Sequence, residues 1–451
     1  MKKAGLVFFV LLLSGLVYFL SQLAPIIAGF GAKAMCSCVY VGERSEQNVL
    51  EKELSRFPLS LGSASINPAD SSATGTVWGV VNAKAIYRKG WGCTLVRGSS
   101  EEQIREDGKK LSVVKPVLSD TVLWPNGSMV DFQQDPTLEK AIDWAFQEPD
   151  PEAPKNTRAV LVVQDGKIIA ERYADGYHTT SKHIGWSISK SITATLIGIL
   201  VHQNKLDIYE PAPVPQWADE NDPRHAITTD HLLRMSSGLY WDEDYTKSSP
   251  VTKMLYEEAS MGEYSANQEL EKEPDTEWKY SSGTSNIISY QMRELLGDDA
   301  YYQFPYETLF YPLGIRTALF EADASGTFSG SSYMWASARD WARLGQFLIN
   351  DGVWNGERLL PEGWVDYVST PTAGADKGQY GAHFWLNAGD KENPKNRRMP
   401  DVGTDVFMMN GYDGQRIYMV PSKNAVVVRM GKSKRGDFDF NAFLSGVIAV
   451  L

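Results

Sequence analysis

From Thr137 the chain reads TLEKAIDWAFQE, with apolar residues at helical spacing, and the period then changes: RAVLVVQDGKIIAERYA offers two apolar stretches joined by Asp165-Gly166. Asp-Gly suits a tight turn whose central residues need positive φ, so a helix followed by a two-stranded hairpin is predicted. Near the other end QRIYMVPSKNAVVVRMG repeats the pattern with a turn at Pro421 to Asn424, and DFDFNAFLSGVIAVL reads as a closing helix. Helical patterns dominate between about residues 186 and 370. Helix and strands at both ends around a helical middle predict an α/β chain of the α+β sandwich kind, with one antiparallel sheet built from both ends and a helical subdomain inserted.

The first 34 residues, MKKAGLVFFVLLLSGLVYFLSQLAPIIAGFGAKA, open with Lys2 and Lys3 and continue as an apolar run. The run is longer than a usual signal h-region and close to bilayer-spanning length, so residues 1–34 read as a targeting segment. An uncleaved anchor over residues 4–27 is favoured over a signal peptide cut after Ala32-Lys33-Ala34. Either way Lys2 and Lys3 stay cytoplasmic, which exports the rest to the periplasm or cell envelope, on the outer side of the inner membrane. Residues 35–130 read as a β-rich extension. There the Ser/Ala/Gly-rich LGSASINPADSSATGT precedes TVWGVVNAKAIYRKGWGCTLV, a small hairpin by its β-branched and aromatic content. A third region, residues 131–451, carries the helix and strands described above.

Composition narrows the classes. The 451 residues are 43% hydrophobic, which suits a globular protein with a substantial core. A formal charge of −12 without a basic patch sets nucleic acid aside as a partner. Of the three cysteines, either Cys36 or Cys38 pairs with Cys93 in an exported chain, leaving one thiol spare. The six histidines lack metal-site spacing, so neither a metal nor another cofactor is expected.

Candidate chemistry lies in WSISKSIT, residues 186 to 193, where Ser187 stands three places ahead of Lys190. At a helix start the two share a face, and Ile192, Leu196, Ile199 and Leu200 continue an apolar pattern that buries the helix and desolvates the lysine. A serine followed by a lysine is also an ordinary capped helix. LSVVKP repeats the spacing at Ser112 and Lys115, with β-branched residues between and Pro116 behind, a poor helix start. Spacing alone does not choose. A Ser-His-Asp scheme of the G-x-S-x-G kind is excluded, because Ser189 stands where the second glycine belongs.

The flanks choose. ERYADGYHTTSKHIGWSISKSITATLIGIL, followed by DPRHAITTDHLLRMSSGLYW, resembles the serine β-lactamase and penicillin-binding-protein superfamily in its class C and carboxylesterase-like branch. It is most similar to the 6-aminohexanoate-dimer hydrolase-like serine hydrolases, over about residues 130 to 451. The resemblance implies a β-lactamase-like fold and an acyl-enzyme on Ser187, with Lys190 as the lysine of the S-x-x-K box. Tyr280, in WKYSSGTSNIIS, matches the tyrosine that activates first the serine and later water, with Ser282 in the third place of that box. The third box, K-T-G or H-x-G in relatives, is here Tyr412-Asp413-Gly414, and the resemblance puts the N–H groups of Ser187 and Gln415 around the oxyanion. Loss of that box's lysine argues against a β-lactam, leaving a small ester or amide as the expected substrate. A D,D-peptidase or β-lactamase, and a catalytically silent envelope-binding protein, are the alternatives. Tyr380, His383 and Trp385 in YGAHFWLN read as core aromatics, and DWARLGQFLINDGVWNGERLLPEGWV as scaffold.

Overall fold

The computed structural model describes residues 14–111, 114–132 and 135–451. Ser112 of the second S-x-x-K pair and the first part of the expected anchor, residues 1–13, lie outside the described residues. The chain divides into two units. The first joins the chain up to Lys110 with Trp241–Gln268 and Phe320–Phe328; the second takes Leu111–Tyr240, Glu269–Leu319 and Ser329–Leu451.

In the first unit, β1 (Gly62–Asn67), β2 (Ser72–Val77), β3 (Val81–Arg88) and β4 (Gly92–Leu95) form an antiparallel meander. The Ser/Ala/Gly-rich stretch is therefore two further strands, where the sequence pattern predicts only a small hairpin after it. Its small residues have a purpose: helix α1 (Ala24–Cys36) lies so close that a Cβ on Gly75 would stand 2.1 Å from the Ala28 carbonyl oxygen. Ala64, Ala73, Ala83 and Ala85 are buried in this sheet.

Helix α1 forms the later part of the amino-terminal apolar run. Ser14–Val41 is one helical stretch, apolar and long enough to cross a bilayer by length and composition. Its exposed apolar side chains are Leu16, Val17 and Tyr18, whereas Ala24, Ile27, Ala28, Ala32, Met35 and Cys36 are buried in the unit's core. The expected leader boundary at residue 34 thus falls inside a packed helix. Lys33, in the middle of the expected cleavage site, is 4% exposed. Its Nζ donates to Glu321 Oε2 at 3.1 Å and to the Cys93 carbonyl. Ser37 Oγ and the Cys93 N–H donate to the same carboxylate, at 2.9 and 2.6 Å. Of the two disulfides left open by the sequence, the structure has Cys36–Cys93, and Cys38 is a buried free thiol.

In the second unit the hairpin β5 (Thr157–Gln164) and β6 (Lys167–Tyr173) turns at Asp165 and Gly166, with φ of 49° and 72°. Both residues tolerate that left-handed backbone, as the Asp-Gly pair predicts. Strands β7 (Trp385–Leu386), β8 (Phe407–Gly411), β9 (Gln415–Val420) and β10 (Ala425–Gly431) complete a six-stranded antiparallel sheet in the order β7-β8-β9-β10-β5-β6. Both ends of the chain build this sheet. Helices α2 (Pro136–Phe146) and α6 (Phe440–Ile448), capped by Asp135 and Asp439, cover one face through Leu138, Ile142, Phe443, Leu444 and Val447. The inserted middle supplies α3 (Ile188–His202), α4 (Ser282–Leu296) and α5 (Ala338–Ile349). The last covers the sheet's other face, where Gly345 lies against Val426 and Ile417.

Candidate active site

Ser187 is the N-cap of α3, half-exposed at the end of an otherwise buried helix. The residue before it, Trp186, holds a φ of 48°, a left-handed backbone that a bulky side chain rarely adopts and that recurs at functional turns. Lys190, one turn on, is 1% exposed. Its Nζ donates to Ser187 Oγ at 3.3 Å, to Ser282 Oγ at 3.0 Å and to the Ser331 carbonyl at 3.1 Å. Three acceptors around one buried amine supply the contacts that a lysine needs when it leaves water. The polar residues that share the buried helix are likewise engaged: Ser191 Oγ donates to the His383 carbonyl, and Thr193 Oγ1 to the Gly330 carbonyl.

Lys190 Nζ also lies 5.0 Å from the centre of the Tyr280 ring. A cation over a tyrosine face is attracted by the ring's charge distribution. Tyr280 meets Tyr380 edge-on at 5.8 Å and packs against the tilted ring of Trp385 at 5.4 Å. The LLRMSSGL stretch positions the segment that carries it. Met235 O accepts from the Lys279 N–H, Met235 Sδ accepts from the Ser281 N–H and Thr284 Oγ1, and Ser236 O accepts from Asp275. Met235 itself sits at a φ of 62°.

The Tyr412–Gly414 turn joins β8 to β9. A Cβ on Gly411 would stand 2.0 Å from the Gly185 carbonyl oxygen, so only glycine lets this strand end approach the turn that carries Ser187. Tyr412 is exposed, and its ring meets Trp186 edge-on at 6.1 Å. Asp413 holds a φ of 57° and turns its carboxylate inward, where Lys432 Nζ lies at 2.9 Å. At Gly414 a Cβ would meet Arg429 Nη1 at 2.4 Å, and Nη1 donates to the Gly414 carbonyl at 3.0 Å. The Gln415 side chain bridges the carbonyls of Tyr412 and Gly431, which fixes the backbone of the turn. Ser187, Lys190, Tyr280 and Ser282 are therefore one contiguous group, and the third-box turn reaches that group through Gly411 and Tyr412.

The Beta-lactamase family model matches residues 155–444. The chain belongs to that family. It is 23% identical over 300 residues to the 6-aminohexanoate-dimer hydrolase of Paenarthrobacter ureafaciens, covering 61% of this chain and 72% of that protein. EstCE1, a hydrolase with promiscuous acyltransferase activity, superposes with a TM-score of 0.55 at 16% identity, over 70% of this chain and 98% of its own. A family VIII carboxylesterase gives 0.54 at 14%, over 69% and 95%. The likeness to the two solved structures establishes a shared fold, and the chain is a Beta-lactamase-family hydrolase by its match to the family.

Within this Beta-lactamase fold the sequence reading undervalues one residue. His383 is a core residue by burial, at 1% exposure, but it also ties two site helices together. Its Nδ1 lies 2.7 Å from the Leu233 carbonyl and must carry the proton, which leaves Nε2 to accept from Ser285 Oγ at 2.8 Å. Ser285 is on α4, and Ser191 of α3 bonds the His383 carbonyl. Burial, with the Lys190 charge adding to it, pushes the imidazole down to about 3, so it is neutral. Asn286 also braces the site: its Nδ2 donates to the Ser282 carbonyl and to Ser331 Oγ. A signal was available for both, since Ser285 and Asn286 lie on the helix that opens with Ser282.

Proposed function

We propose that the protein is an exported serine hydrolase that cleaves an ester or amide through an acyl-enzyme on Ser187. The observation that carries this reading is the placement of Lys190 Nζ, 3.3 Å from Ser187 Oγ and 5.0 Å from the Tyr280 ring centre. A serine hydroxyl is a weak nucleophile until a base removes its proton. The Lys190 ammonium, bonded to Ser282 and Ser331, stabilises a Tyr280 phenolate, which takes the Ser187 proton as Oγ attacks the substrate carbonyl. The N–H groups of Ser187 and Gln415 receive the oxyanion, worth a few kcal/mol per donor in a site of this kind. The tyrosine then passes the proton to the leaving group, and a water deprotonated by the same residue releases the acyl chain. Tyr412 in place of the family's third-box lysine favours an ester or linear amide over a β-lactam. On this reading residues ahead of Ala24 anchor the chain in the inner membrane, while the helix from Ala24 on stays with the folded protein.

A substrate panel of p-nitrophenyl esters and short amides, with Ser187→Ala as control, tests the reading. Turnover and fluorophosphonate labelling should both fall by about 10⁴-fold or more in the variant. Labelling that survives in Ser187→Ala sinks it.

A further inference from the structure

Strands β2 and β3 are joined by Trp78, Gly79 and Val80, with Val77 paired to Val81 and the Val80 N–H donating to the Val77 carbonyl at 3.0 Å. Trp78 holds a φ of 53° and Gly79 one of 70°. A left-handed turn position suits Gly, Asn or Asp, and a bulky side chain there costs backbone strain. The turn therefore gives no reason for a tryptophan, and neither does the core: Trp78 is 57% exposed and Val80 68%. What the Trp78 ring does meet is Phe19 of the amino-terminal helix, with the ring centres 5.0 Å apart.

The level of that contact along the helix decides what the turn faces. Ser14 to Tyr18 are exposed, Phe19 and Leu20 are half-buried, and Ala24 is fully buried in protein. A hydrocarbon core of about 30 Å takes about 20 helical residues at about 1.5 Å each, so a span that starts after Lys3 ends near Leu23, where protein packing takes over. Phe19 stands one turn inside that end, and its contact with Trp78 brings the hairpin tip to the same depth. Three residues on, Gln22 Oε1 accepts from Ser248 Oγ at 3.4 Å, a polar contact suited to the headgroup side of the boundary. Tryptophan collects at this boundary because its ring is apolar and its indole N–H is a donor. We propose that the β2–β3 turn is a second membrane contact, with Trp78 and Val80 seated in the lipid–water interface of the bilayer that holds the amino-terminal helix. The proposal rests on the anchor in the reading above and extends it from a tethered chain to a unit whose sheet is fixed in height against the lipid. The contact is aromatic and apolar, so a chain of net charge −12 makes it without depending on headgroup charge.

Full-length protein labelled with fluorotryptophan, in nanodiscs of phosphatidylethanolamine and phosphatidylglycerol, tests this. The fluorine resonance missing from Trp78→Phe belongs to Trp78. A nitroxide on the lipid acyl chain just below the headgroup should erase that resonance, and a water-soluble gadolinium chelate should leave it intact. Val80→Asp, which puts a charge at the exposed tip, should reverse both responses. A native resonance erased by the chelate and untouched by the lipid label overturns the proposal. So does one that neither agent reaches, which would mean that a second copy of the chain covers the tip, or a Val80→Asp protein that responds as the native one does. Retention of the protein on vesicles through a carbonate wash reports separately on the anchor, so the two readings can fail independently.

Discussion

Ser285 Oγ lies 2.8 Å from His383 Nε2, and this bond requires the imidazole to be neutral. In the folded protein the imidazole is held down near 3, far below its usual value, so protonation favours the unfolded chain. The contribution is fully present above about pH 6.5, the ordinary histidine value, and is lost as pH falls below it, by about 1.4 kcal/mol per pH unit. The thermal midpoint should drop from pH 6.5 towards 4 more steeply in the native protein than in His383→Asn. Equal slopes would show that the histidine plays no part in the acid response.

Tyr280→Phe removes a hydroxyl and keeps the packing with Tyr380 and Trp385. Under the proposed mechanism kcat falls by about 10² to 10⁴-fold, with KM and the thermal midpoint nearly unchanged. Combining it with Lys190→Ala should cost little more than Lys190→Ala alone, because residues that act as one unit are strongly non-additive. Multiplicative losses would separate the two roles.

Lys33 and Glu321 are both almost fully buried, at 5% and 0% side-chain exposure. Removing one partner strands the other charge in the core, so Lys33→Met or Glu321→Gln should each destabilise the first unit by about 3 to 5 kcal/mol. Chemical denaturation of the purified protein reads this directly. The double variant Lys33→Met/Glu321→Gln should recover part of the loss; a double variant as unstable as the sum of the singles would deny the coupling.

The sheet of the second unit is legible in the sequence because its signals are local. Asp165-Gly166 and Pro421 to Asn424 announce turns, and alternating β-branched residues announce the strands they join. The sheet of the first unit is hidden by its own packing. Ala73 and Gly75 are small because a helix backbone lies on them, and small residues carry no period. The expected anchor, residues 4–27, runs into the start of α1, and apolar composition does not tell a helix buried in protein from one buried in lipid. What distinguishes them is Lys33, a charge whose partner lies 288 residues away and leaves no local trace. The catalytic candidates follow the same division. Ser187 and Lys190 share a helical turn and can be read together, whereas the Ser285–His383 bond spans 98 residues and can be read only in three dimensions.

The distance between Lys33 and Glu321 also sets an order in time. A ribosome adding about 5 to 20 residues per second needs roughly 15 to 60 seconds to pass from one to the other. Through that interval α1 and its four strands exist without the segment that neutralises the lysine and closes the core. The sheet of the first unit is therefore translated well before the residue that completes its buried ion pair, and its core stays open until Glu321 has been made.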